Sequence, residues 1–87
     1  MALKFKHTFI KKIIPKVGMK VKIRDDLSRN NNYGLVSCTG GNIDMCGKEV
    51  TIKKVHSIHK YAFKIHKTDV WFCVDMLDKT YTNGDDD

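Results

Sequence analysis

Three observations predict a mainly β fold. Apolar and polar residues alternate in three short runs, Met19-Val21-Ile23, Tyr61-Phe63-Ile65 and Val70-Phe72. A period of two marks a half-buried strand. The last two runs also pair in phase. With His66-Lys67-Thr68-Asp69 as the turn, Phe63 opposes Phe72 and Ile65 opposes Val70, which keeps the apolar members on one side as register requires. Finally, 87 residues make one domain with a small core.

The elements follow in chain order. Pro15 closes a basic arm, residues 1–16, that admits two readings. "LKFKHTF" alternates as a strand does, whereas Leu3, Phe9, Ile10, Ile13 and Ile14 share a broad face if drawn as a helix. The arm then either packs on the domain by its apolar side or reaches a membrane surface or nucleic acid. Met19, Val21 and Ile23 form the first clear strand. About 25 residues rich in Asn, Asp, Ser and Gly follow, a length at which structureless loops are often functional. Within them Tyr33–Val36 reads as a short returning strand, and "GNIDMCG" as one helical turn with Asn42 as N-cap and Gly47 as stop. Val50 and Ile52 share the inner face of the next strand. Val55 falls out of phase, which a bulge at Lys53-Lys54 restores. The last hairpin puts Trp71 on the face opposite the core stripe, beside the Lys64 stem, a common surface pairing. The core read from these patterns is Met19, Val21, Ile23, Val50, Ile52, Phe63, Ile65, Val70, Phe72 and Leu77.

This order of elements, with "VWFCVDML" near its end, resembles the SH3-like barrels. In those domains an aromatic strand passes through one 3₁₀ turn, here Val74-Asp75-Met76, into a final short strand, here begun by Leu77. "GMKVKIRDDL" and "GKEVTIKKV" are similar to small SH3-like proteins of phages and prophages, of the uncharacterised YorP type. The resemblance covers residues 17–80. It implies a five-stranded small barrel with a long first loop, encoded by a phage or mobile element, between the arm 1–16 and a flexible acidic tail 81–87. The matching loop, "RDDLSRNNNYG", has only Tyr33 where signalling SH3 domains carry an aromatic run, which speaks against a polyproline groove.

Charge and cysteine usage narrow the function. The net charge is +6, but residues 1–20 carry six lysines and no acid, while residues 21–87 balance ten basic against ten acidic side chains. The basicity belongs to the arm, so Lys4, Lys6, Lys11, Lys12 and Lys16 are the candidate contacts for nucleic acid. No apolar run reaches the roughly 20 residues that span a bilayer. The N-terminus has no uninterrupted apolar stretch of signal-peptide type. Both point to a cytoplasmic protein. Cys38, Cys46 and Cys73 are odd in number and lack CxxC spacing, so free thiols are expected.

Site chemistry is thin. His56 and His59 are spaced HxxH and His66 follows, but zinc wants four converging ligands, and no metal or cofactor is expected. Cys46 or Cys73 as a nucleophile lacks any local activating group, so no enzymatic activity is expected. Asp25-Asp26 enters the long loop as a turn-forming pair on the ligand side. The remaining feature is a surface. Tyr33, Lys64 and Trp71, with Asp25 and Asp26 on the adjoining loop, form the candidate face for a protein partner, with base stacking as the alternative use of the rings.

Overall fold

The alternating runs assemble into one four-stranded antiparallel sheet. The computed structural model describes residues 8–85, and the side chains of residues 11–82. Its strands are β1 (Thr8–Lys12), β2 (Lys20–Lys22), β3 (Asn32–Tyr33), β4 (Val36–Ser37), β5 (Glu49–Val55), β6 (Ala62–Ile65), β7 (Thr68–Cys73) and β8 (Tyr81–Asp85). One helical turn, α1 (Gly40–Ile43), precedes β5, and a 3₁₀ turn, Val74–Met76, follows β7. The main sheet runs β2-β5-β6-β7; β1 and β8 form a separate ribbon, and β3 and β4 a small hairpin.

The fold is therefore mainly β, built of small antiparallel sheets. The expected five-stranded barrel is not closed among the described residues. The expected final strand after the 3₁₀ turn is reduced to a single bridge, Ile23↔Leu77. Beyond Asp78, whose N–H donates to the Lys22 carbonyl at 2.9 Å, the chain leaves the sheet and pairs with β1 instead, from Lys12↔Tyr81 to Thr8↔Asp85. Parts of the arm and of the tail, set apart in the sequence reading, thus meet each other. Lys4 and Lys6 lie outside the described residues.

Register follows the alternation at most points. Phe63 opposes Phe72 and Ala62 opposes Cys73. The ladder between β5 and β6 shifts between Ile52 and Lys54, where one extra residue brings Val55 opposite Phe63. One register detail differs. Ile65 opposes Thr68 rather than Val70, so the turn is His66-Lys67 and a second irregularity lies between Phe63 and Ile65. No Asn-Gly or Gly-Gly pair marks this turn in the sequence.

The core is centred on Ile23, Ile52, Phe63, Ile65 and Phe72, all fully buried. The Phe63 and Phe72 rings stack at 6.1 Å. Val50 and Leu77 are buried as read, whereas Met19, Val21 and Val70 are half-buried and pack against the cluster. Ala62 and Cys73 are buried too, although alternation put them on the outer face. The reason is the long loop: α1 packs on β7, and β4 touches it as well. Gly34 makes the second contact possible. Its φ is +65°, and an added Cβ would stand 2.6 Å from the Asp75 carboxylate.

Candidate functional site

Trp71 lies where these elements meet. It is half-buried on β7. The Lys64 ammonium sits 4.9 Å from its ring centroid, as the hairpin register anticipates. The His56 ring flanks it as well, at 5.0 Å, and His59 extends the group at 5.0 Å from His56. The imidazole of His56 is held by its own turn, because its Nδ1 accepts the N–H groups of Ile58 and His59 at 3.0 and 3.1 Å. Sequence reasoning missed both histidines as members of this face. The available signal was the Lys53-Lys54 bulge, which turns the end of β5 and carries His56 toward Trp71.

Beside the rings runs an open groove of about 460 Å³. Val36, Ala62 and Val70 supply apolar wall, Leu35 and Trp71 apolar surface, and Ser37 and Thr39 hydroxyls. Leu35 is 66% exposed. A large exposed aliphatic next to an indole is the composition of a contact surface.

The back wall is fixed by Asn42, the buried polar side chain of the described core, 1% exposed. Thr39, not Asn42, is the N-cap of α1. Asn42 stands three residues on and reaches back: its Oδ1 accepts the Thr39 N–H at 2.9 Å and the Thr39 hydroxyl at 3.0 Å. Its Nδ2 donates to the Trp71 carbonyl at 2.9 Å. Asn and Thr are both good caps, and only the tertiary acceptor on β7 distinguishes their roles.

The other candidates separate from this groove. The Tyr33 ring lies 5.3 Å from the Arg24 guanidinium, and its hydroxyl accepts the Ser28 N–H at 2.8 Å. Its hairpin neighbours Leu35 and Val36, rather than Tyr33 itself, line the groove. Arg24 also grips Asp26 with two hydrogen bonds, at 2.6 and 2.9 Å. That contact holds the Asp26 carboxyl below the ordinary carboxylate range. Asp25 is exposed. Of the arm lysines, Lys11 and Lys16 are exposed, while Lys12 pairs with Asp75 at 3.2 Å and covers the Tyr61 ring at 5.0 Å.

All three cysteines are free thiols. Burial pushes the Cys38 and Cys73 thiols up, away from the nucleophilic thiolate. Cys73 donates its hydrogen to the Tyr33 carbonyl. Among the described residues, no three His, Cys, Asp or Glu side chains gather at one point. No helix there is long and apolar enough to cross a membrane. Comparison of the chain with family models, with curated proteins and with solved structures found no match.

Proposed function

We propose that the chain is a non-enzymatic binding module that holds a segment of another protein in the Trp71 groove. The observation that carries this reading is the cluster about the indole, with Lys64 and a tilted His56 ring both about 5 Å from the Trp71 ring, beside an open, apolar-walled groove. Aromatic residues with apolar neighbours and a polar rim are the usual anchors of protein interfaces. The titratable groups here also favour binding over catalysis. His56 Nδ1 is committed to its own turn, and burial pushes the Cys73 thiol up, away from the thiolate.

In its finer form the module is SH3-like. The sheet order β2-β5-β6-β7, the 3₁₀ turn Val74–Met76 and the Ile23↔Leu77 bridge, which joins the end of β2 to the residue after that turn, support this. Origin in a phage or mobile element and action in a host cytoplasm rest on the resemblance of "GMKVKIRDDL" and "GKEVTIKKV". A nucleic-acid partner is the competing occupant, because the same rings could stack on bases and Lys11 and Lys16 are exposed.

The test is affinity capture from nuclease-treated host lysate with wild-type protein and Trp71→Ala, both checked for folding by circular dichroism. The reading requires a captured protein that Trp71→Ala loses and that nuclease leaves in place. Capture that nuclease abolishes would move the function to nucleic acid, and capture indifferent to Trp71→Ala would remove the groove from it.

A further inference from the structure

A second groove, sharing no lining residue with the Trp71 groove, opens between β2 and the base of the β1–β8 ribbon. Its volume is about 610 Å³. Ile13, Ile14, Met19, Val21 and Leu77 form its apolar floor. Four lysines, Lys16, Lys20, Lys22 and Lys79, stand around it against one acid, Asp78. Among the described residues none of the four lysines takes part in an ion pair.

Met19, Lys20, Val21 and Lys22 all line this groove. Four consecutive residues of an extended segment can do so only if the chain presents its edge, since one face would show every second residue. The hydrogen bonds agree. Met19 and Ile23 bond toward β5, through Ile52 N–H to the Met19 carbonyl at 2.9 Å and Ile23 N–H to the Lys48 carbonyl at 3.0 Å. Ladder alternation then turns the peptide groups of Lys20 and Lys22 the other way. The Lys22 carbonyl is taken by Asp78 N–H at 2.9 Å. Among the described residues no backbone partner meets the Lys20 N–H and carbonyl or the Lys22 N–H.

We infer that this edge accepts an extended segment of a partner protein in which acidic and apolar residues alternate. The Lys20 N–H and carbonyl and the Lys22 N–H supply main-chain pairing, the floor takes the apolar side chains, and the lysines take the carboxylates. Two other occupants fit less well. A second copy pairing through the same edge would set Lys20 and Lys22 against lysines, and like charges across a ladder repel. A single-stranded nucleic acid needs rings to stack on, and no aromatic residue lines the groove.

The experiment uses the full chain and a synthetic, fluorescein-labelled octapeptide alternating glutamate and valine. Anisotropy reads affinity, and amide hydrogen exchange by NMR reads the site. The inference expects binding that slows exchange at the Lys20 and Lys22 amides. A peptide N-methylated along one edge tests main-chain pairing on the unaltered protein and should bind about tenfold more weakly, the effect of losing one or two net hydrogen bonds. Lys20→Pro, which removes the outward N–H together with one ammonium, should weaken binding more than Lys20→Ala, which removes the ammonium alone, and Lys16→Glu with Lys79→Glu should weaken it further. Absence of binding would overturn the inference, as would equal binding of a lysine–valine octapeptide or indifference to N-methylation along either edge. Protection of the same amides by oligothymidylate instead of the peptide would overturn it too.

Discussion

Replacing Asn42 by alanine should loosen the wall on which Trp71 stands. The side chain is 1% exposed and makes four hydrogen bonds, two from Thr39, one to the Trp71 carbonyl and a weak one to the Met76 sulfur at 3.6 Å. Its loss strands the Thr39 N–H and the Trp71 carbonyl in a partly buried setting and opens a small void beside Met76. At about 1 kcal/mol for each net hydrogen bond, plus a cavity contribution, the expected cost is about 2–4 kcal/mol. A chain of this length has a total stability of roughly 4–13 kcal/mol. The variant should therefore melt about 10–25 °C below wild type. Thermal unfolding followed by far-ultraviolet circular dichroism measures this directly. Thr39→Ala is the internal comparison. It removes the N-cap hydroxyl and the γ-methyl but leaves the Asn42 amide on the Trp71 carbonyl, and should cost about 1 kcal/mol. An Asn42→Ala loss below about 1 kcal/mol, or a Thr39→Ala loss equal to it, would refute the view that Asn42 joins α1 to β7.

Other consequences are independent of that contact. Phe72→Ala removes a fully buried ring stacked on Phe63 and should cost about 3–5 kcal/mol in chemical denaturation; near-wild-type stability would contradict the register. Arg24 holds Asp26 below the ordinary carboxylate value, so the contact stabilises the fold fully above that value. Its contribution is lost as the pH falls through the depressed value. NMR titration of the Asp26 carboxyl should show a low midpoint that Arg24→Ala returns to the ordinary range. The effect should shrink with salt, because the pair is exposed. Burial of Cys38 and Cys73 against a half-buried Cys46 predicts that Cys46 reacts first with Ellman's reagent and that the other two wait for unfolding. Rapid reaction of all three in the native protein would contradict this packing.

What the sequence made legible is what local alternation encodes. Phe63 opposite Phe72, the Lys53-Lys54 irregularity, Lys64 on Trp71 and the turn Val74–Met76 each depend on a few neighbouring residues. The ribbon of β1 and β8 depends on residues some seventy positions apart, and "TYTNGDD" carries no apolar stripe to announce a strand. The burial of Ala62 and Cys73 was hidden for a related reason. Alternation gives the two faces of a strand, but only the folding-back of the long loop decides which part of the outer face is covered. Tyr33 was placed with Trp71 because both are aromatic and near one loop. In the structure Arg24 draws its ring away, and Gly34 lets Leu35 and Val36 take the place beside the groove. The spacing of His56 and His59 suggests metal ligands to the eye, whereas in the structure their rings form a tilted row beside Trp71.

The central claim is that Trp71 is the half-buried anchor of a protein-binding groove. Since it is the only tryptophan, uniform labelling with 5-fluorotryptophan gives a single ¹⁹F resonance that reports this position alone. Its solvent-isotope shift between H₂O and D₂O reads contact with water, first in the free protein and then in complex with the unlabelled protein captured from nuclease-treated lysate. The account predicts an intermediate isotope shift in the free chain, as befits a half-buried indole, that falls toward zero in the complex. A resonance already insensitive to D₂O in the free protein, or one unchanged in the complex, would contradict it.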